Sequence, residues 1–563
     1  MCRHPSRDAA TALSSARMPT SSGNSAGSDF DAVVVGAGFA GLYALYRLRD
    51  VLGLSVRAFE AGDGVGGTWY WNRYPGARCD SESFIYSYSF SDELQQEWTW
   101  SSKYPEQPEI LRYLDHVADR FDLRPDIQLS TRVTDAVFDE TADRWQIRTD
   151  RGDVVTAQFF VSAVGCLSAA NLPAITGLDS FEGDWYHTGA WPQGGVDFSG
   201  KRVGLIGTGS TGIQATPVIA ASADHLTVFQ RTPNYSVPAR NFALTPEQWA
   251  DIKANYGEIR RKARESWGGF PYDRSEMSAI EVSPAEREAT YERLWAEEGG
   301  FKFIYGSYGD LLSNEASNET AAEFIRNKIR HIVKDPDVAE VLVPRGYPYG
   351  TKRPPIDTDY FETFNRDNVT LVDLSEAPIT EIVPSGLRTT AADYDLDIIV
   401  FATGFDAMTG SLLRIDVRGV DGQSLRTKWE AGPTTYLGIQ VAGFPNMFVI
   451  TGPGSPSVLT NMPLAIEQHV EWIGDCISYL RAHGLTRVEA TAEAEDAWVD
   501  HVHDVASVTL FPKANSWYLG ANIPGKKRVF MPYVGGFAPY RERCDQVAAN
   551  DYEGFALSRH AGS

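Results

Sequence analysis

The sequence predicts an α/β chain of two Rossmann-like dinucleotide-binding domains, with a helical insertion in the second. A strand–GxGxxG–helix–strand pattern occurs twice, and the second copy lies inside the sequence of the first domain. The 563 residues suffice for two to four domains, each with its own core.

Order begins near Asp29. Asp31 to Val35 is short, apolar and β-branched, and reads as a buried parallel strand. Gly36-Ala37-Gly38-Phe39-Ala40-Gly41 follows at once, and Leu42 to Leu48 reads as a helix. The first glycine makes the tight turn, the second admits a pyrophosphate to the backbone, and the third lets helix and strand pack closely. A second strand, Leu54 to Phe59, ends on Glu60, 24 positions after Gly36 and placed to accept hydrogen bonds from a ribose.

The pattern recurs with Lys201 to Ile206 as strand, Gly207-Thr208-Gly209-Ser210-Thr211-Gly212 as loop, Ile213 to Ala221 as helix and Leu226 to Phe229 as strand. Here Arg231 stands 24 positions after Gly207, where the first unit carries Glu60. An acid welcomes a free ribose 2′-hydroxyl, whereas an arginine welcomes a 2′-phosphate. The first unit therefore suits the ADP half of FAD and the second suits NADPH.

Asp397 to Gly404 reads as a strand ending in Ala-Thr-Gly, the point of return to the first domain. The expected organisation is a disordered extension over 1–28, an FAD-binding domain over 29–165 and 400–550, an NADP-binding domain over 166–399 with a helical insertion at about 238–340, and a tail over 551–563.

A net charge of −23 with no basic run argues against nucleic acid and anionic membrane as partners. Cys2, Cys79, Cys166, Cys476 and Cys544 lie far apart, which argues against a disulfide framework or metal site and fits a reducing cytoplasm. The longest apolar run, Val33 to Tyr46, holds three glycines and is too short to span a membrane. The first 28 residues lack a signal-peptide core, and Met18 offers a second start.

The stretch Phe181-Glu182-Gly183-Asp184-Trp185-Tyr186-His187-Thr188-Gly189-Ala190-Trp191-Pro192 carries FxGxxxHTxxWP just before the second glycine loop. With Gly66-Gly67-Thr68-Trp69-Tyr70-Trp71, Pro75-Gly76-Ala77-Arg78-Cys79-Asp80, Lys352-Arg353, Ser516-Trp517-Tyr518 and Gly525-Lys526, it resembles the type I Baeyer–Villiger monooxygenases, most of all the phenylacetone and steroid monooxygenase branch. The resemblance spans about residues 29–555.

It implies an enzyme that uses FAD, NADPH and O2 to convert a small-molecule ketone to an ester or lactone through a C4a-peroxyflavin, with sulfides as further substrates. Arg353 would stabilise the oxyanion charges, with Asp80 fixing its guanidinium. FAD contacts would be Gly36, Gly38, Phe39, Ala40, Gly41, Glu60, Gly67, Thr68, Trp69, Asp80, Tyr86, Val133 and Met462. NADP contacts would be Arg78, Asp80, Thr208, Gly209, Ser210, Thr211, Gly212, Gln214, Arg231, Thr232, Lys352, Arg353 and Trp517. Ser457, Val458 and Leu459 would line the substrate pocket, where loops set size preference. His187 suggests a hinge or interdomain hydrogen bond, whereas His501 and His503 read as surface residues. A flavin N- or S-monooxygenase of the same fold is the alternative. The motifs fix neither the natural ketone nor the oligomeric state.

Overall fold

Alternation within one buried strand shows how the first domain is layered. Ala32 and Val34 of Phe30–Val35 join one core, and Val33 and Val35 join another, so both faces of the sheet are covered. In the computed structural model, which describes residues 29–559, this strand pairs in parallel with Val56–Phe59 and Val154–Ser162. The expectations for residues 1–28 and for the last four residues lie outside the described residues.

The first sheet runs 416–418, 133–139, 144–149, 154–162, 30–35, 56–59 and 127–128, and Met447–Val449 also pairs with 154–162. Helices Phe39–Tyr46, Gln107–Arg120 and Met462–Ala482 cover one face, burying Leu42, Leu114 and Ile473. Trp145, Phe160 and Met447 fill the other.

The second sheet is wholly parallel, in the order 369–373, 225–230, 202–206, 398–401 and 184–187. Helix Ser210–Ser222 packs on it through Ile213, Ala215 and Ile219. A three-stranded meander over residues 379–395 precedes its strand Ile398–Phe401. Among the described residues no helix is long and apolar enough to cross a membrane.

Three sequence expectations shift. The boundary at residue 400 falls inside Ile398–Phe401, whose pairing with 202–206 and 184–187 keeps it in the second sheet. First-sheet pairing resumes only at Asp416–Arg418. The insertion is shared between domains. Glu315–Ile332 buries Ala321, Phe324 and Ile325 against the second domain, but Trp249 of Pro246–Ala254 and Tyr256 of Tyr256–Glu265 join the first core. Arg260, 4 % exposed, donates to Gln95, Ile85 and Ser87 of the first domain. The described part of the expected tail is packed structure: Phe555–Ser558 pairs antiparallel with Arg487–Ala490.

The chain crosses between the sheets twice, near 166–171 and 403–408. The two passages run side by side, with Asn171 N–H on Gly404 O, Asp406 N–H on Ala169 O and Met408 N–H on Cys166 O, each at 2.8–2.9 Å. This double crossing is where the chain leaves the first sheet and returns to it.

Candidate active site

Each glycine loop follows directly from a central strand. Gly36 (φ +107°) and Gly207 (φ +113°) make the turn in a region that suits glycine, and a Cβ there would lie 2.5 Å from Ala163 O and 2.4 Å from Ala402 O. A Cβ on Gly41 or Gly212 would approach Gly36 O to 1.8 Å or Gly207 O to 2.0 Å. Both loops then open helices, Phe39–Tyr46 and Ser210–Ser222, whose first backbone N–H groups are free for phosphate oxygens. The residues fit two dinucleotides.

Around the first loop, Glu60 is 5 % exposed, and its carboxylate accepts from Ala37 and Gly62 N–H, each at 2.8 Å. Burial pushes its carboxyl up, and those two amides oppose the rise. Gly67 backs onto Gly38 and opens the short helix Thr68–Trp71. Trp69 Nε1 donates to Tyr86 Oη at 3.1 Å, and Tyr86 meets Phe39 edge to face. Ala40 and Val133 are buried and Met462 is partly buried.

Around the second loop, Thr208 Oγ1 donates to Thr232 O at 2.9 Å. Arg231 is exposed, and Lys352 lies over the Tyr347 ring at 4.2 Å. Neither has a carboxylate within ion-pair distance among the described residues. Burial, and then the charge of Arg231, depress the Lys352 ammonium. Two cations held together without an anion suit a phosphate. Tyr74 donates to Gln214 Oε1 at 2.8 Å, and Gln214 donates to Arg78 O at 3.1 Å, tying the second helix to the first domain. Arg78 itself pairs with Glu106.

Arg353 stands between the domains. Its Nε and Nη2 donate to the two Asp80 oxygens at 2.9 and 2.8 Å, and Nη1 donates to Val458 O at 2.8 Å. Phe301 lies beneath the guanidinium at 4.9 Å. Burial alone would lower this group, but the Asp80 charge and hydrogen bonds outweigh it and hold the guanidinium above its usual value. A buried cation left unpaired costs several kcal/mol, roughly 3–5, which explains the two-toothed fork.

Val458, Leu459, Cys166, Met408, Tyr518 and Phe530 form an apolar cluster beside it, with Trp517 and Met462 partly buried at its edge, and the buried Ser457 hydroxyl faces Met408 Sδ at 4.0 Å. Asn522 donates to Phe405 O at 2.7 Å, and Lys526 bonds Asp406 and Ala407 O, so the segment after Trp517 docks on the second crossing.

The FxGxxxHTxxWP stretch forms the edge strand Asp184–His187 and its flanks. A Cβ on Gly183 would lie 2.4 Å from Asp397 O. Thr188 Oγ1 donates to Phe401 O at 3.3 Å, Trp191 is buried in the second core, and Phe181 packs on the opposite face. Pro192 O closes a turn onto Gly195 N–H. His187 Nδ1 accepts from Gly189 N–H at 3.0 Å, and Nε2 faces Thr403 Oγ1 at 3.4 Å. Burial lowers its pKa, against backbone contacts at Asn171 and Gly404. Apart from Gly189, its partners belong to the double crossing, and Arg353 is not among them.

Sequence reasoning left out two residues at Arg353. Tyr518 is 2 % exposed, and burial raises its phenol while the Arg353 charge opposes the rise. Phe301 comes from the insertion. Both meet Arg353 only through long-range folding; the adjacency of Tyr518 to Trp517 was the one available signal. His501, read as a surface residue, is exposed but also faces Tyr533 Oη at 3.4 Å.

The family described as NAD(P)-binding Rossmann-like domain matches residues 34–98. A relative from Pseudooceanicola batsensis named Baeyer-Villiger monooxygenase is 46 % identical over 536 residues, covering 95 % of this chain and 97 % of its own. Phenazine N-monooxygenase PhzNO1 of Lysobacter antibioticus is 46 % identical, covering 94 % and 97 %. The solved oxidized steroid monooxygenase bound to NADP superposes with a TM-score of 0.90 at 56 % identity, covering 94 % of this chain and 100 % of that one. With this identity extending over nearly the whole chain, the chain belongs to the type I Baeyer–Villiger monooxygenases, flavin enzymes that convert ketones to esters or lactones.

Proposed function

We propose that the protein holds FAD on the first sheet and takes NADPH on the second, oxidising a small-molecule ketone with O2. The observation that carries this reading is the Arg353 guanidinium, forked onto Asp80 beside an apolar cluster where both domains meet. FAD held there and reduced by NADPH would supply the redox chemistry that activates O2, of which one atom enters the product and the other leaves as water.

The chain's residues do the rest. The first loop and Glu60 hold the ADP half of FAD, with Thr68, Trp69, Tyr86, Val133 and Met462 about the flavin. Ser210, Thr211 and Gly212 face the NADP pyrophosphate, and Arg231, Thr232 and Lys352 take its 2′-phosphate. Arg353 presents positive charge to the oxygen that becomes negative during insertion, worth on the order of 3–4 kcal/mol in a dry site. Val458, Leu459 and Trp517 exclude water there. His187 ties the two crossings together and so acts at the junction between the domains. Well-separated cysteines and the acidic surface suit a reducing cytoplasm.

Arg353→Ala should retain FAD and be reduced anaerobically by NADPH. In air it should form ester at least about 100-fold more slowly, its NADPH appearing as hydrogen peroxide. Stopped-flow reduction followed by ester and peroxide assay checks this; a near-normal ester yield removes Arg353 from the mechanism. A second reading, heteroatom oxygenation, gains support from the relative named phenazine N-monooxygenase. Mass spectrometry of products from paired ketone, thioether and phenazine substrates decides between the two readings.

A further inference from the structure

The substrate loop is framed by strained backbone. Thr451, just before Gly452, has φ +54°, and Ser457 within the loop has φ +42°. A β-branched residue in the left-handed region is an outlier that persists only where its surroundings over-determine it. The surroundings here are specific. Thr451 N–H donates to His469 Nδ1 at 3.1 Å, and Thr451 O accepts the Ser457 hydroxyl at 3.1 Å. The next residue, Val458, gives its carbonyl to Arg353.

His469 lies on Met462–Ala482 and is 0 % exposed. Because Nδ1 accepts, the ring proton sits on Nε2, which faces Tyr540 Oη at 2.7 Å. Tyr540 in turn donates to Leu437 O at 2.6 Å, so its oxygen is left to accept from the histidine. Burial, against a backbone contact at Val449, pushes the imidazole down to about 4, which keeps it neutral, so a ring nitrogen stays free to accept the Thr451 N–H. Every polar atom of the ring is thereby assigned, and one of them holds the strained amide that starts the loop.

We propose that His469 is a positioning residue for oxygen insertion: through Thr451 and Ser457 it fixes the loop that brings the Val458 carbonyl to the Arg353 guanidinium. If the loop relaxes, Arg353 loses its third partner and can rotate on the Asp80 fork. This proposal rests on the role given above to Arg353.

The test compares His469→Leu, which removes the acceptor, with His469→Asn, whose side-chain oxygen can take the place of Nδ1. Three readouts on the purified holoenzyme are hydrogen exchange in peptides covering 447–460, the anaerobic NADPH reduction rate, and ketone kcat and KM with peroxide yield. His469→Leu should speed exchange in those peptides and leave reduction near the wild-type rate. It should lower ketone kcat/KM by about 10–100-fold, the scale of a misplacement near 1 Å, with NADPH diverted to peroxide. His469→Asn should recover most of that loss.

A His469→Leu enzyme that melts earlier but keeps its ketone KM and coupling would reduce His469 to a core residue and overturn the proposal. So would a His469→Asn enzyme as impaired as His469→Leu. Should His469→Leu not fold, Tyr540→Phe removes the Nε2 partner, together with the bond to Leu437 O, and should shift loop exchange and coupling in the same direction; no shift overturns the proposal. Failure of wild-type enzyme to oxidise any ketone would instead overturn the functional reading, leaving the exchange result to judge His469.

Discussion

The two glycine loops share a skeleton and differ in their lids. The outer glycines of both are pressed against backbone carbonyls in the same way. At the middle glycine they diverge. A Cβ on Gly38 would meet Gly67 Cα at 3.3 Å, whereas Gly209 has nothing within 4 Å. Their ribose-facing residues diverge too: Glu60 is buried and bonded to two amides, while Arg231 is exposed and unpaired among the described residues. The first turn is enclosed and the second is open. That contrast suits the division of labour between a resident flavin and an exchangeable nicotinamide.

Matched substitutions should break that symmetry with the largest effect. Gly41→Ala sets a methyl on a backbone oxygen, a clash costing at the upper end of about 1–3 kcal/mol or beyond, so FAD occupancy should fall at least about tenfold. Gly212→Ala makes the same clash in the second loop. Its product should stay yellow with non-covalent FAD, yet be reduced by NADPH at least about tenfold more slowly. Gly209→Ala should fold and bind FAD normally and alter only NADPH binding. Flavin content by absorbance and stopped-flow reduction measure all three. Equal loss of FAD from Gly41→Ala and Gly212→Ala would show that the loops are not independent.

A smaller effect sharpens the open side of the comparison. Arg231→Ala should raise the NADPH KM roughly tenfold, because a charge-assisted hydrogen bond at an exposed site is partly screened. The NADH KM should hardly move, since that cofactor lacks the 2′-phosphate. Equal rises with both cofactors would take Arg231 away from the phosphate.

These loops were legible because their chemistry is written locally: turn glycines, an adjoining strand and helix, and an acid or cation at the end of the next strand. What escaped was long-range. Ile398–Phe401 reads as a strand, but nothing in it says which sheet it joins until 184–187 pairs beside it. Arg353 and Asp80, 273 positions apart, were joined by family resemblance, not by pattern. Tyr518, Phe301 and His469 take their meaning from neighbours far along the chain. The insertion looked uniform in composition, yet Arg260 anchors its first half to the other domain.

The smallest expected effect lies behind the second loop, where a second buried acid contrasts with Glu60. Asp357 is 7 % exposed, on the two-stranded ribbon that ties Val237–Pro238 to Ile356–Asp357 and so links Arg231 to Lys352 and Arg353. Glu60 has two short amide bonds to its carboxylate; Asp357 has the Ser236 hydroxyl and a long contact from Tyr360 N–H at 3.4 Å. Burial pushes Asp357 up to about 7, with Ser236 opposing and the negative charges of Glu362 and Asp359 adding to the rise. An unfolded aspartate titrates near 3.9, so between roughly pH 4 and 7 the folded carboxyl holds a proton that the unfolded chain has lost. Its contribution to stability is therefore full below about pH 4 and drains away as pH rises through 7. From pH 6 to 8 the loss is on the order of 1 kcal/mol. Asp357→Asn keeps the shape and cannot ionise, so the wild-type Tm should fall relative to the variant by about 1–2 °C over that interval. The NADPH KM should rise with pH in the wild type and stay flatter in Asp357→Asn, because an ionised Asp357 loosens the ribbon that gathers the cations. A Tm difference that does not change with pH would mean that Asp357 is already ionised in the folded chain, and the contrast with Glu60 would then lie in their neighbours alone.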